Sequence, residues 1–277
     1  TVPLRHAWAT PIDLPYNGPM EEFARKRTRN DYTLMRLQQM GLSRVRVPLT
    51  DLIDPHIRGR ITDFATTGIA FSFFSLGVPD AATLALINTH RDLVAQLEIV
   101  GASDDLEDIS GDFARLADLG DIPIVIGKSH SSKHEPKQGS KFAHSVSSGF
   151  KWDVREVVLA ALQSAGAPVA AAGLLFQVNL DDDLDNRLAE LDAYAARIER
   201  PIEVNIRLAN PNPAIANFDD DAIAARVAQA VAMAPTLKSI SLQIDTFVDV
   251  DRGYNPRHGL LDRHYNFRAA GRALASR

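Results

Sequence analysis

Ser239-Ile240-Ser241-Leu242-Gln243-Ile244-Asp245-Thr246-Phe247 alternates polar with apolar residues, the period of two expected of a strand whose faces meet different surroundings. Its apolar residues, Ile240, Leu242 and Ile244, suit packing beneath helices. Its polar face ends on a carboxylate, Asp245, ahead of a loop that carries Tyr254, Arg257 and His258. Other segments repeat this plan of a short strand with alternate polar positions, then a loop and a helix. The chain therefore reads as a ring of strands whose ends build one site.

Working outward, residues 202–208 place Glu203, Asn205 and Arg207 on one face, and residues 173–180 carry Gln177 and Asn179. Residues 93–100 set Gln96 and Glu98 opposite Leu97 and Ile99, and residues 43–49 set Arg44, Arg46 and Pro48 opposite Val45, Val47 and Leu49. Residues 69–75 and 4–9 supply two more strands. Residues 122–128 form a continuous apolar run ending on Lys128, the pattern of a parallel strand covered on both faces. Helices are expected over 20–40 (stopped by Gly41), 79–90, 104–119, 154–165, 187–200 and 219–234. Eight strands alternating with helices imply a parallel sheet, most simply a closed (β/α)8 TIM barrel in a single domain over residues 1–277. A doubly wound open sheet is the alternative, but no Gly-x-Gly-x-x-Gly follows the first strand.

The bulk properties agree with one barrel, which typically needs about 250 residues. The chain has 277 residues, 45% of them hydrophobic. A net charge of −5 argues against a nucleic-acid partner. Zero cysteines leave no disulfide or thiolate chemistry. No apolar run approaches the roughly 20 residues that span a membrane. The opening Thr1-Val2-Pro3-Leu4-Arg5 lacks a signal pattern, so the expected location is cytoplasmic. A start at Thr1 fits excision from a longer protein. Composition does not speak to oligomeric state.

Barrel sites form at the C-terminal ends of the strands. The strand parities send Arg46, Gln96, Glu98, Lys128, Gln177, Asn179, Arg207, Gln243 and Asp245 inward. Buried charge must be paired, so a purely structural account needs nearly all of these matched to one another, and a functional pocket is favoured for the set. Glu98 and Asp245 are the acid/base candidates. Arg46 and Arg207 suit a substrate carboxylate or an oxyanion. Lys128 suits Schiff-base chemistry if it is desolvated, although pairing with a carboxylate is the commoner fate of such a lysine. His130 and His134, four apart in a Ser- and Lys-rich loop, are a weak metal signal. His130, His144, Tyr254 and Arg257 read as substrate contacts. Asp181-Asp182-Asp183 reads as a helix entry rather than a Ca²⁺ site.

The stretch Leu34-Met35-Arg36-Leu37-Gln38-Gln39-Met40-Gly41-Leu42-Ser43-Arg44-Val45-Arg46-Val47-Pro48 resembles the first helix and second strand of clan A retaining glycoside hydrolases, which carry an Arg at that strand. Leu97-Glu98-Ile99-Val100-Gly101-Ala102 looks like their fourth strand, and Gly259-Leu260-Leu261-Asp262-Arg263 with Arg268-Ala269-Ala270 is similar to their closing segment. That clan places an Asn-Glu pair at the end of strand four, where this chain has Gly101-Ala102. It places a nucleophilic Glu at the end of strand seven, where this chain has Ile206-Arg207-Leu208. The resemblance implies a carbohydrate-sized pocket without the clan's catalytic pair, and Arg207 in place of a carboxylate favours an anionic or carbonyl-bearing ligand. The leading expectation is a hydrolase of a sugar-acid lactone or acidic glycoside, without a cofactor. The alternatives are a divalent-metal sugar isomerase or epimerase using Glu98, Asp245 and His144, a Lys128 aldolase, and a catalytically silent sugar-binding barrel.

Overall fold

The computed structural model describes residues 1–4, 7–13, 27–130, 147–166, 169–209, 219–249 and 258–275. Eight parallel strands follow one another around a nearly closed (β/α)8 barrel, paired in sequence order. They are β1 Val2–Pro3, β2 Arg44–Pro48, β3 Ala70–Leu76, β4 Gln96–Gly101, β5 Ile124–His130, β6 Gly173–Val178, β7 Ile202–Arg207 and β8 Ile240–Asp245. Although β1 is short, it joins the ends of the sheet. Val2 and Pro3 pair with Val45 and Arg46 of β2, while the Thr1 N-terminus donates to Leu242 O and Ile244 N donates to Thr1 O, each at 3.0 Å.

The outer layer holds α1 Tyr32–Gln39, α2 Pro55–Thr66, α3 Ala81–Thr89, α4 Arg155–Ala165, α5 Leu184–Ile198, α6 Asp220–Met233 and α7 Ala269–Ala275. Several open on an aspartate that accepts from the first turn, an N-cap typically worth about 1 kcal/mol. Asp54 takes His56 N at 2.8 Å, Asp80 takes Thr83 N at 2.8 Å, Asp183 takes Asn186 N at 3.2 Å and Asp219 takes Ala222 N at 2.9 Å. The Asp181–Asp183 run is thus a helix entry, with Asp182 also accepting from Asn179 N at 2.7 Å. On α5 the buried Leu184, Leu188, Leu191, Tyr194 and Ala195 form one stripe at helical spacing. That stripe meets the outward row of the sheet, where Val204 and Ile206 are fully buried.

Three expectations need correction. The first strand is Val2–Pro3 rather than 4–9, because the ladder that closes the ring runs through Thr1 and Val2. Arg27–Thr28 is a short strand paired with Ile12–Asp13, so the first helix is shorter than 20–40 and spans Tyr32–Gln39. The helix expected over 104–119 is a short helix, Glu107–Ser110, followed by a 3-10 segment, Phe113–Leu119. Leu106 sits at φ 62°, a left-handed conformation that an α-helix cannot continue through.

Candidate active site

Register fixes which side chains share the lumen, since partners in a parallel pair point the same way. Arg46, Ser72 and Gln96 are in register across β2–β4, as are Gln177, Asn205 and Gln243 across β6–β8, and Arg207 with Asp245 across β7–β8. The alternation read from the sequence therefore holds for Arg46, Gln96, Glu98, Gln177, Arg207, Gln243 and Asp245. It fails for Lys128. Glu98 pairs with Val125 and Gly101 with Lys128, so Lys128 stands on the opposite face from Glu98. Its Nζ donates to Asp104 Oδ2 at 2.7 Å in a partly buried ion pair. A continuous apolar strand carries no alternation from which its facing could be read.

Arg46 and Glu98 form the inner tier. Arg46 Nε donates to Glu98 Oε2 and Nη2 to Oε1, both at 2.6 Å, and the guanidinium lies 4.0 Å from the Phe74 ring centroid. Both side chains are buried, Glu98 completely. Burial alone would lower the Arg46 pKa. The adjacent Glu98 outweighs it and holds the guanidinium above its ordinary value, with Asp245 and Glu203 adding to that field. Three carboxylates of the lumen therefore bear on this one guanidinium. Glu203 is itself buried, accepts from Gln243 Nε2, and lies 3.8 Å from Arg44.

No periodicity marks the residue that crosses this lumen. Strands β5 and β6 pair directly at only two positions, Val125 with Gly173 and Ile126 with Leu174. Beyond them the segment Ser147–Phe150 enters between the strands. Ser147–Ser148 runs antiparallel to Ser129–His130, while Phe150 bridges to Phe176 of β6. Ser148 Oγ lies 3.3 Å from Arg46 Nη2, and Asn205 Nδ2 donates to Ser148 O at 3.0 Å, so one serine ties β2 to β7. Gly149 makes this possible, with φ 117° and a position where a Cβ would stand 2.7 Å from the Phe176 carbonyl carbon. His130, expected in the loop, instead ends β5. It is buried, and its Nε2 donates to Gly149 O at 2.7 Å.

The rim tier comprises Arg207 and Asp245, with Asn179 beyond the end of β6. Arg207 Nη1 approaches Asn179 Oδ1 at 3.5 Å, and Asp245 Oδ1 accepts from Thr246 Oγ1 at 2.8 Å. The turn holding Asn179 is gripped from α6 by buried Arg226, which donates to Asn179 O and, at 3.2 Å, to Asp182 O. Past β8, Asp249 accepts from Gly259 N at 2.7 Å and from Arg268 at 3.1 Å. Burial pushes the Asp249 carboxyl up, against the pull of Gly259 and Arg268. Ser72 Oγ, Gln96 Nε2 and Gln177 Oε1 are buried on the lumen face without a hydrogen-bond partner among the described residues, a state that favours water or a polar ligand nearby.

His144, Tyr254 and Arg257, like His134, lie outside the described residues. Among the described residues no group of three His, Asp or Glu is arranged to hold a metal, and no helix is long and apolar enough to cross a membrane. The resemblance drawn from the sequence expects glutamates at the ends of β4 and β7. Those positions hold Gly101-Ala102, with Ala102 N donating to Asp108 at 2.6 Å, and Arg207.

No known family profile and no curated protein sequence matches the chain. Among solved structures, it is similar to a glucosidase from Croceicoccus marinus with a TM-score of 0.53 and 13% sequence identity. The likeness covers 87% of this chain but only 62% of the glucosidase. It supports the glycosidase-like barrel as a fold.

Proposed function

We propose that this barrel is a carbohydrate-active hydrolase for a sugar-acid lactone or acidic glycoside, with Arg207 as the anion or oxyanion contact and Asp245 as the base. One observation carries this reading. Arg207 and Asp245 are register partners at the ends of β7 and β8, buried at 6% and 7% exposure and facing the same lumen. A guanidinium beside a carboxylate at a barrel mouth can bind a carbonyl oxygen and activate water together. On a lactone, Asp245 takes a proton as the water oxygen attacks the carbonyl carbon, and the π electron pair moves to the carbonyl oxygen, held by Arg207. That pair then returns, the bond to the ring oxygen breaks, and the ring oxygen takes the proton from Asp245. Glu98 falls outside this scheme because Arg46 occupies both its oxygens. Lys128, on the other face and paired with Asp104, lends no support to Schiff-base chemistry.

The test is turnover of a panel of aldonolactones and glycosiduronic acids. Asp245→Asn should lose about 10²- to 10⁴-fold in kcat, the usual contribution of a positioned base, while saturable binding persists. Undiminished turnover would exclude Asp245 from the role. A second reading, a catalytically silent sugar-binding barrel, is favoured by Gly101-Ala102 and Arg207 at the two glutamate positions. Calorimetry that gives saturable binding of a uronide with no turnover by the unmodified protein would select it.

A further inference from the structure

The inward row of β3 is unlike the rest of the lumen. Ser72, Phe74 and Leu76 share its face, with Phe74 in register with Glu98 and Leu76 with Val100. Ser72 is buried and Phe74 half-buried, while Leu76, the last residue of the strand, is 73% exposed. Among the described residues it is the most exposed large hydrophobic side chain. An isolated exposed leucine needs no explanation. This one stands at the rim, above a partly open aromatic ring, at the mouth where a barrel takes its ligand. In an eight-stranded ring β3 lies opposite β7, so this apolar step faces the Arg207 side of the mouth. The Phe74 ring is further fixed by the Arg46 guanidinium 4.0 Å from its centroid, which Glu98 holds in place.

We propose that Phe74 and Leu76 form an apolar subsite on the β3 wall, so that the preferred ligand is amphipathic. Its anionic or carbonyl head meets Arg207 and Asp245, and an aliphatic or aromatic aglycone meets Phe74 and Leu76. The inference rests on the function proposed above and specifies the substrate class of that site. A pocket combining apolar walls with a few placed polar groups is the general form of a small-molecule site. Leu76 is a specificity residue here, since it touches the part of the ligand that does not react.

The probes are a matched pair of glucuronides, octyl and methyl, with binding measured by calorimetry and KM where turnover is found. Leu76→Ser is the primary variant, because an exposed side chain at a strand end contributes little to folding. It should weaken octyl glucuronide about 5- to 20-fold, the factor expected from losing part of a buried leucine contact, and leave methyl glucuronide within about twofold. Phe74→Leu should act in the same direction, and circular dichroism would report whether it folds. Arg207→Lys should weaken both ligands alike. An equal response of both ligands to Leu76→Ser, or no response, overturns the subsite while leaving the rim reading intact. If neither glucuronide binds the unmodified protein, the subsite falls, and turnover of the aldonolactone panel decides the rim reading separately.

Discussion

Two guanidinium–carboxylate pairs of the lumen, Arg46 with Glu98 and Arg207 with Asp245, stand at different depths. In the inner tier Arg46 and Glu98 are locked by two hydrogen bonds of 2.6 Å, with Glu98 wholly buried. At the rim Arg207 and Asp245 are register neighbours, with Arg207 Nη1 3.5 Å from Asn179 Oδ1 and Asp245 Oδ1 accepting from Thr246 Oγ1 at 2.8 Å. A carboxylate with both oxygens committed cannot take a proton from water without breaking its pair. Asp245 stands instead at the end of its strand, beside the Thr246 hydroxyl. Position along the strand therefore separates the deeply buried ion pair from the pair on which the proposed chemistry rests.

The largest expected effect is on the inner tier. Glu98→Ala leaves the Arg46 charge buried without its partner and should cost about 3–5 kcal/mol, whereas replacing both residues with apolar ones of similar volume should recover most of that loss. Denaturant unfolding checks both, and a single variant as stable as the unmodified protein would remove the distinction between the tiers. Gly149→Ala comes next. A side chain there meets the Phe176 carbonyl carbon at 2.7 Å with φ at 117°, so the Ser147–Phe150 insertion must shift. Backbone strain of that kind costs about 1–3 kcal/mol. Ser148→Ala should cost less, about 1 kcal/mol, because it forfeits a single 3.3 Å contact to Arg46 while the backbone bond from Asn205 remains.

These effects bear on what could be read from the residues alone. Alternation exposed the lumen wherever a strand had two unlike faces, hence Glu203-Val204-Asn205-Ile206-Arg207 and Gln243-Ile244-Asp245. It could say nothing about the facing of Ile124–His130, where the apolar run is continuous and Lys128 turned out to stand opposite Glu98. Ser148 was illegible for another reason. It follows a long segment without periodicity, and its place is set by a left-handed glycine and by the splaying of β5 from β6, neither of which leaves a repeating pattern. Glu203 and Asn205 were visible as one face of a strand, but their partners, Gln243, Arg44 and Ser148, depend on closure of the ring. The Asp104 partner of Lys128 likewise depends on how the β4 turn folds back.

Titration offers a weaker test near the rim. The folded state holds the Asp249 carboxyl above the ordinary 3.8 because burial disfavours its charge. A carboxyl with a raised folded pKa binds more protons folded than unfolded through the interval between the two values, so its contribution to stability is greatest below the unfolded pKa and falls as pH rises through the folded one. Stability measured from pH 3 to pH 7 should therefore show a downward component that Asp249→Asn removes. An unchanged slope in that variant would mean that Gly259 and Arg268 fully offset the burial.

The smallest expected change concerns stability at the rim itself. Asp245→Asn keeps an oxygen that can accept from Thr246 Oγ1 and keeps the side-chain volume, losing only the charge. That charge acts on Arg46 from a distance, whereas Glu98 contacts it directly and is the dominant attraction. The variant should therefore unfold within about 1 kcal/mol of the unmodified protein, inside the ordinary range for substitutions that open no cavity. A large loss of turnover with almost no loss of stability is what a residue placed for chemistry should give. A collapse comparable to Glu98→Ala would instead make Asp245 a second structural anchor and leave the proposed hydrolase without its base.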